Sequence, residues 1–346
     1  MATSTLTIGN ELLSTTMHIL MKDFRDNVHE SVAFLDAQER VHGAGKPVQS
    51  GGSRIVVPLG FGEHSSTTRM QTGFERIDLS VEDVFQPAQY DWGHVVRPVA
   101  ISSEEEMVNQ GDSAVLSILE SRVTMTANAL KREYVKQIVQ GSQVGWEDWN
   151  TLNGVDVATG FLEENAVGAQ GNTVGSVSKT TFSGKTGWQN QIFDGAGSFN
   201  ANGLAGLYDL LVEIDAVSPS GKPNVILASR AGFKNLKRAL QAHERYVDQS
   251  QIDGGRMVET FQGIPINVEF NMPTSGTTTA TDPVSFYLLN MNDIYTLWDP
   301  QGYFDLSDFE TVSGEYDVRA AKLRCRGQLI AKHLGSSGIA FDLETF

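Results

Sequence analysis

The stretch from Ser102 to Gly141 limits the architecture of this chain more than any other. Ser102-Ser103-Glu104-Glu105 has capping-box spacing, in which a serine accepts from the helix backbone while a glutamate reaches back; Ser103 to Glu106 offers a second register. Three carboxylates in the first turn also suit the positive end of a helix dipole. Val115, Leu119, Val123, Ala127, Leu130, Tyr134 and Ile138 then recur every three or four residues. The pattern predicts an amphipathic helix of nearly 40 residues, with Gly111 marking a kink or a later start. That is far beyond the usual three turns, so the element is a scaffold on which other parts are hung.

Two strand patterns precede it. Residues 54–61 (Arg-Ile-Val-Val-Pro-Leu-Gly-Phe) and 84–101 alternate, with Ala88, Tyr90, Trp92 and Val96 on one face of the second. The polar stretch 63–83 between them predicts a long hairpin with a wide tip. A lone two-stranded hairpin is marginal in water, and this one carries aromatic residues, so it docks on a neighbour or within its own domain. Further upstream, Leu13, Met17, Leu20, Phe24, Val28, Val32 and Leu35 form a helical stripe over 10–41, with Asn10 as cap and a stop at His42-Gly43-Ala44-Gly45-Lys46-Pro47. It is either an arm laid on a partner or a core helix.

Downstream, residues 141–206 hold 13 of the chain's 34 glycines and show no strong period. Three of the five tryptophans lie there, which predicts an ordered, loop-rich region with short strands. From Leu204 the pattern turns compact α+β. Leu207, Leu210, Leu211 and Ile214 mark a helix, 224–228 a buried strand, and 230–243 a second helix. Strands at 257–261 and 264–270 turn at Gln262-Gly263. A Thr-rich loop, 274–281, precedes a strand at 284–289, and 304–312 and 316–333 read as long strands. On the last, Ala321, Leu323, Cys325, Leu329 and Ala331 face one way and Lys322, Arg324, Arg326 and Lys332 the other.

Composition narrows the function. Twenty-six basic against 42 acidic side chains leave a net charge of −16. General nucleic-acid binding needs clustered Lys and Arg to release counterions, and anionic lipid needs a polybasic segment; neither stands out. One cysteine, Cys325, excludes intrachain disulfides and multi-cysteine metal sites. The first residues lack the basic and apolar regions of a secretory signal, and no stretch approaches 18 uncharged apolar residues.

Motifs for catalysis fail on inspection. Gly184-Lys185-Thr186 resembles the end of a phosphate loop, but Lys179 stands where that loop needs glycine. Gly195-Ala196-Gly197 opens a dinucleotide fingerprint that Asn200 interrupts, with no strand-to-helix unit expected around it. The seven histidines never reach metal-ligand spacing, and no Gly-x-Ser-x-Gly elbow occurs. Carboxylate pairs such as Glu163-Glu164 read as solvated acidic surface. No catalytic, metal or cofactor-binding residue is assigned. The one charge feature is 319–333, which carries five Lys or Arg and no acid. It reads as subunit salt bridges, nucleic-acid contact, or a solvated or internally paired strand face.

The order of these elements, with Phe261-Gln262-Gly263-Ile264-Pro265-Ile266 and Met272-Pro273, resembles the major capsid proteins of tailed bacteriophages. That resemblance implies an α+β, Hong-Kong-97-type capsid fold, also used by encapsulin shells. It implies an N-terminal arm (1–49), an extended β-hairpin loop (50–101), a peripheral domain with the spine helix (102–202 and 295–330), and an axial domain (203–294 and 331–346). It further implies a non-enzymatic virion subunit, assembled in the host cytoplasm into hexamers and pentamers of an icosahedral-type shell. Its partners would be other copies of itself, a separate scaffolding protein (since 1–49 leaves no room for a fused segment), portal and decoration proteins, and packaged double-stranded DNA held by weak non-specific contact. Inter-subunit contact candidates are Leu13, Met17, Phe24, Phe61, Phe85, Tyr90, Trp92, Arg319, Lys322, Arg324 and Arg326. Some members crosslink an extended-loop lysine to a neighbour's asparagine. Here no lysine lies between Lys46 and Lys131, so that chainmail is expected to be absent. The alternatives are an encapsulin-type compartment and an acidic carboxylate-dependent hydrolase.

Overall fold

Continuous apolar strands set the centre of the fold. Val225–Ala228 and Val284–Leu289 are buried at every residue, as strands covered on both faces must be. The computed structural model describes residues 33–43, 49–61, 71, 73, 76, 85–108, 118–140, 151–154, 160–180, 188–241, 249–252, 256–273, 283–311 and 317–346. These fall into two units. One draws on Arg97–Ala129 and Leu306–Leu323, the other on Glu30–Val96, Leu130–Asp305 and Arg324–Phe346.

In the larger unit these two strands pair antiparallel inside a seven-stranded sheet. Its remaining strands are Gln191–Asp194, Gly338–Phe341, Ile264–Val268, Arg256–Phe261 and Gln249–Ile252. The helices Phe199–Val217 and Arg230–Gln241 supply Phe199, Leu207, Leu210, Ile214 and Leu236 to a core shared with Ile226, Phe286 and Leu288. The helix Ala33–His42 packs on Val225–Ala228 and on Ile264–Val268. At the expected turn, Gln262 (φ 54°) and Gly263 (φ 79°) both take positive φ, the geometry that suits a two-residue hairpin. Gln191–Asp194 and Gly338–Phe341 carry no pattern that announced them as strands.

A second sheet pairs Ile294–Trp298 with the far end of Val318–Ala331. Gln38 bonds both the carbonyl (2.8 Å) and the amide (3.2 Å) of Thr296, so one side chain continues the strand ladder. Trp298 stacks with Tyr134, Tyr303 and Phe304 beneath it.

In the smaller unit the capping box forms as spelled. Glu104 N donates to Ser102 Oγ at 3.3 Å, and Ser102 N donates to Glu105 Oε2 at 3.2 Å. Arg122 clamps Glu105 in bidentate fashion (2.8 and 2.6 Å) and also reaches the carbonyl of Ala100. This pair holds the carboxyl of Glu105 below its usual range through the Arg122 hydrogen bonds. Ser103 Oγ donates to Asp317 at 2.6 Å.

Two expectations, on the strand over 304–312 and on Val96, change, and two helices are described in part. Of the expected long helix, Ser103–Val108 and Ile118–Gln140 are helical, and 109–117, including Gly111, lie outside the described residues. The expected strand over 304–312 reduces to Asp305–Leu306 and Glu310–Thr311, because Ser307 bonds back to Lys322 through both backbone and side chain. The upstream helix is described only as Ala33–His42. Val96 is 44% exposed; a break at Trp92 separates Phe85–Asp91 from Gly93–Ser102 and shifts the alternation by one, so Val95 and Val99 face in instead.

Candidate interaction surfaces and a buried polar cluster

The expected hairpin pairing forms, and its tip lies mostly outside the described residues. Arg54–Gly60 (β1) pairs antiparallel with Phe85–Asp91 (β2), from Arg54 opposite Asp91 to Gly60 opposite Phe85. The alternation of strand side chains sorts its two faces. Ile55, Ala88 and Tyr90 are buried, whereas Val56 is 55% and Phe85 77% exposed. The buried face is fixed within its own unit. Tyr90 Oη donates to the carbonyl of Ala331 (3.1 Å) and accepts from its amide (3.3 Å), and burial pushes the phenol pKa up. Gln89 N donates to Gly175 O at 2.8 Å. Gly175 sits in the left-handed region, and a Cβ there would fall 2.8 Å from the Tyr90 ring, so this turn admits only glycine without strain.

The other candidates are placed as follows. Phe61 is partly buried, edge-on to Trp188 at 5.6 Å. Arg326 lies 4.8 Å over the Trp92 ring and 2.7 Å from Asp299, so its charge and the indole are both engaged inside the chain. Arg319 and Lys322 in the smaller unit are exposed, as is Arg324 in the larger. Leu13, Met17 and Phe24 lie outside the described residues, as do Gly184-Lys185-Thr186. Cys325 is buried, and burial pushes its thiol up to about 12, away from nucleophilic chemistry. Among the described residues no cluster of His, Cys, Asp and Glu suits a metal.

Gly195-Ala196-Gly197 does join a strand, Gln191–Asp194, to a helix, Phe199–Val217, contrary to the sequence expectation. The chain's own C-terminal segment covers that junction. Phe199 N donates to Thr345 O at 2.8 Å and Gly197 N to Asp342 O at 3.0 Å, so these amides are not offered to a phosphate.

What sequence reasoning missed is a polar cluster inside the glycine-rich region. Glu163 is no solvated carboxylate: its side chain is 3% exposed and lies 3.2 Å from the Nζ of Lys179, which is 0% exposed. Glu163 also accepts from Gly171 N (3.1 Å), Asn172 N (3.2 Å) and Asn165 Nδ2 (3.2 Å). Lys179 donates to Phe161 O (2.8 Å) and Asn190 Oδ1 (3.1 Å). Burial pulls its ammonium pKa down to about 8, against the opposing attraction of Glu163. The lysine where a phosphate loop would need glycine was the one available signal, and nothing in its neighbourhood marks it as buried.

No protein-family model and no curated protein matches the sequence. Solved structures do match in fold. The cyanophage A-1(L) capsid asymmetric unit aligns at TM-score 0.64 with 15% identity, over 97% of this chain and 99% of that one. A chain of the native GTA particle capsid aligns at 0.60 with 13% identity, over 99% and 100%. The holo-SrpI encapsulin complex of Synechococcus elongatus PCC 7942 aligns at 0.58 with 11% identity, over 99% and 96%. The chain has the α+β Hong-Kong-97-type capsid fold over nearly its whole length.

Proposed function

We propose that the chain is a structural subunit of a tailed-phage capsid, without catalytic activity. It assembles into hexamers and pentamers of an icosahedral-type shell enclosing double-stranded DNA. The observation carrying this reading is the near end-to-end match to capsid chains at both lengths. The exposed hairpin face with Val56 and Phe85, and the exposed Arg319, Lys322 and Arg324, are the surfaces offered to neighbouring copies. The arm, extended loop, peripheral and axial divisions follow the bounds given above. A scaffolding protein, portal and decoration proteins complete the assembly, which takes place in the host cytoplasm. The net charge of −16 limits adhesion of packaged DNA by repulsion, screened beyond roughly 10 Å.

Expression of the chain alone and with candidate scaffolds, followed by light scattering and negative-stain microscopy, tests this. Shells, tubes or capsomers are expected; a 37.7-kDa monomer under every condition overturns it. The match to an encapsulin chain favours a second reading, a protein compartment. Particles carrying a protein cargo in place of nucleic acid would establish that reading. Neither shell is held by extended-loop lysine crosslinks, so a denaturing gel of mature particles should show monomer and no covalent ladder.

A further inference from the structure

The Glu163–Lys179–Asn190 cluster is more than a buried ion pair. Three groups that react with one another are held in contact, out of water. The Lys179 nitrogen donates to the side-chain carbonyl of Asn190, which places it beside the carbon it would attack. The same Asn190 oxygen accepts from the backbone amide of Glu163 at 2.9 Å, a fixed donor for negative charge developing there. The Asn190 Nδ2 is directed away from the lysine, toward Glu163 O (2.9 Å) and Gln191 O (3.3 Å). The Glu163 carboxylate is within hydrogen-bond reach of the attacking nitrogen, at 3.2 Å. Nearby, Phe161 and Trp188 are buried to 0% and 1% exposure.

We infer that Lys179 and Asn190 form an isopeptide bond within the chain, with Glu163 as the proton carrier. Glu163 takes a proton from the lysine ammonium, and the freed amine attacks Cγ of Asn190. The carbonyl oxygen carries the negative charge of the adduct toward the Glu163 amide. Glu163 hands that proton to Nδ2, the Cγ–Nδ2 bond breaks and ammonia leaves, while the second proton lost by Nζ passes to the freed Glu163 carboxylate, so the new amide nitrogen keeps one hydrogen. The Nζ–Cγ bond formed and the Cγ–Nδ2 bond broken balance with no oxidant or co-reactant. Burial favours the neutral amine that the step requires, consistent with the lowered lysine pKa. The bond closes a loop within one subunit and links no subunit to another, so it makes no covalent ladder. It holds whether the particle is a capsid or a compartment.

Intact-mass measurement of the purified full chain under denaturing conditions tests this. One bond removes ammonia, so the expected mass is about 17 Da below that of the sequence. Tryptic digestion should yield residues 137–185 joined to 186–230, with fragmentation placing the link at Lys179 and Asn190. A succinimide at Asn153-Gly154 or Asn202-Gly203 loses the same mass, but hydroxylamine cleaves the chain there and leaves an isopeptide intact. Glu163→Gln and Lys179→Arg should restore the full mass. Because those variants can fail to fold, the wild-type result decides: a folded protein of full mass, or a loss located at any other asparagine, overturns the inference.

Discussion

Two regions of the larger unit are both buried and differ in how much polar chemistry they enclose. In the seven-stranded sheet, Ile226, Leu288, Phe286 and their helical partners remove apolar surface from water, and that burial is the stabilising term. In the region around 151–190, the buried set includes Glu163, Gln170, Lys179, Gln189 and Asn190. Phe161, Leu162 and Trp188 are buried there as well, and each polar group among them must find its partner. Gln170 alone both donates to Asn190 O (2.7 Å) and accepts from Asn190 N (3.1 Å). An apolar core degrades gradually as atoms are removed, whereas a satisfied polar network fails when one member is lost.

The sharpest break in the comparison is Lys179→Met. It removes the inferred link to Asn190 and leaves the buried Glu163 with neutral donors alone, and should cost about 3–5 kcal/mol by urea denaturation. The paired change Glu163→Leu with Lys179→Met removes the buried carboxylate but does not restore the link to Asn190, so it should recover only part of that loss; full recovery would show that Lys179 acts as an ion-pair partner alone. In the sheet, Leu288→Ala should cost about 2–5 kcal/mol through lost burial and the cavity left behind. Its rescue would come from a larger neighbour and not from a charge partner.

Glu269 tests a buried carboxyl that lacks a lysine. Burial pushes it up to about 7, partly offset by donors from Asn271 and from the amides of Phe34 and Ala33. The folded protein therefore holds this proton more tightly than the unfolded chain does. Its contribution is full below the ordinary carboxyl value and is lost as pH rises through about 7. Glu269→Gln should flatten that slope, gaining up to about 3 kcal/mol on the wild type above neutrality, read from denaturation midpoints between about pH 5 and 8.5. The smallest effect is expected outside both regions. Ser102→Ala removes the cap and should cost about 1 kcal/mol.

The legible parts of the sequence were those in which neighbours along the chain share an environment. The Ser102–Glu105 box is local, so its spacing sufficed. Strand alternation placed Ala321, Leu323 and Cys325 inward, all of them buried, and the Gln262-Gly263 turn spelled its own geometry. For the candidate contacts the alternation put Ala88 and Tyr90 on one strand face and so Phe85 on the other, but it could not say which face is covered: Phe85 is left exposed and Tyr90 is bonded to Ala331. That difference is one of strand face, and the face is set by what lies beneath it.

What the sequence determined by itself was the set of elements with their own period or cap, and through their order the capsid-type fold. The tertiary structure alone decided which unpatterned segments became strands. Gln191–Asp194 pairs parallel with Gly338–Phe341, nearly 150 residues away, because the sheet edge supplies the hydrogen bonds that the local sequence does not demand. It decided the fate of Glu163 and Lys179 for the same reason. A charge can be buried only when its partners arrive from elsewhere in the chain, and no local pattern records that meeting.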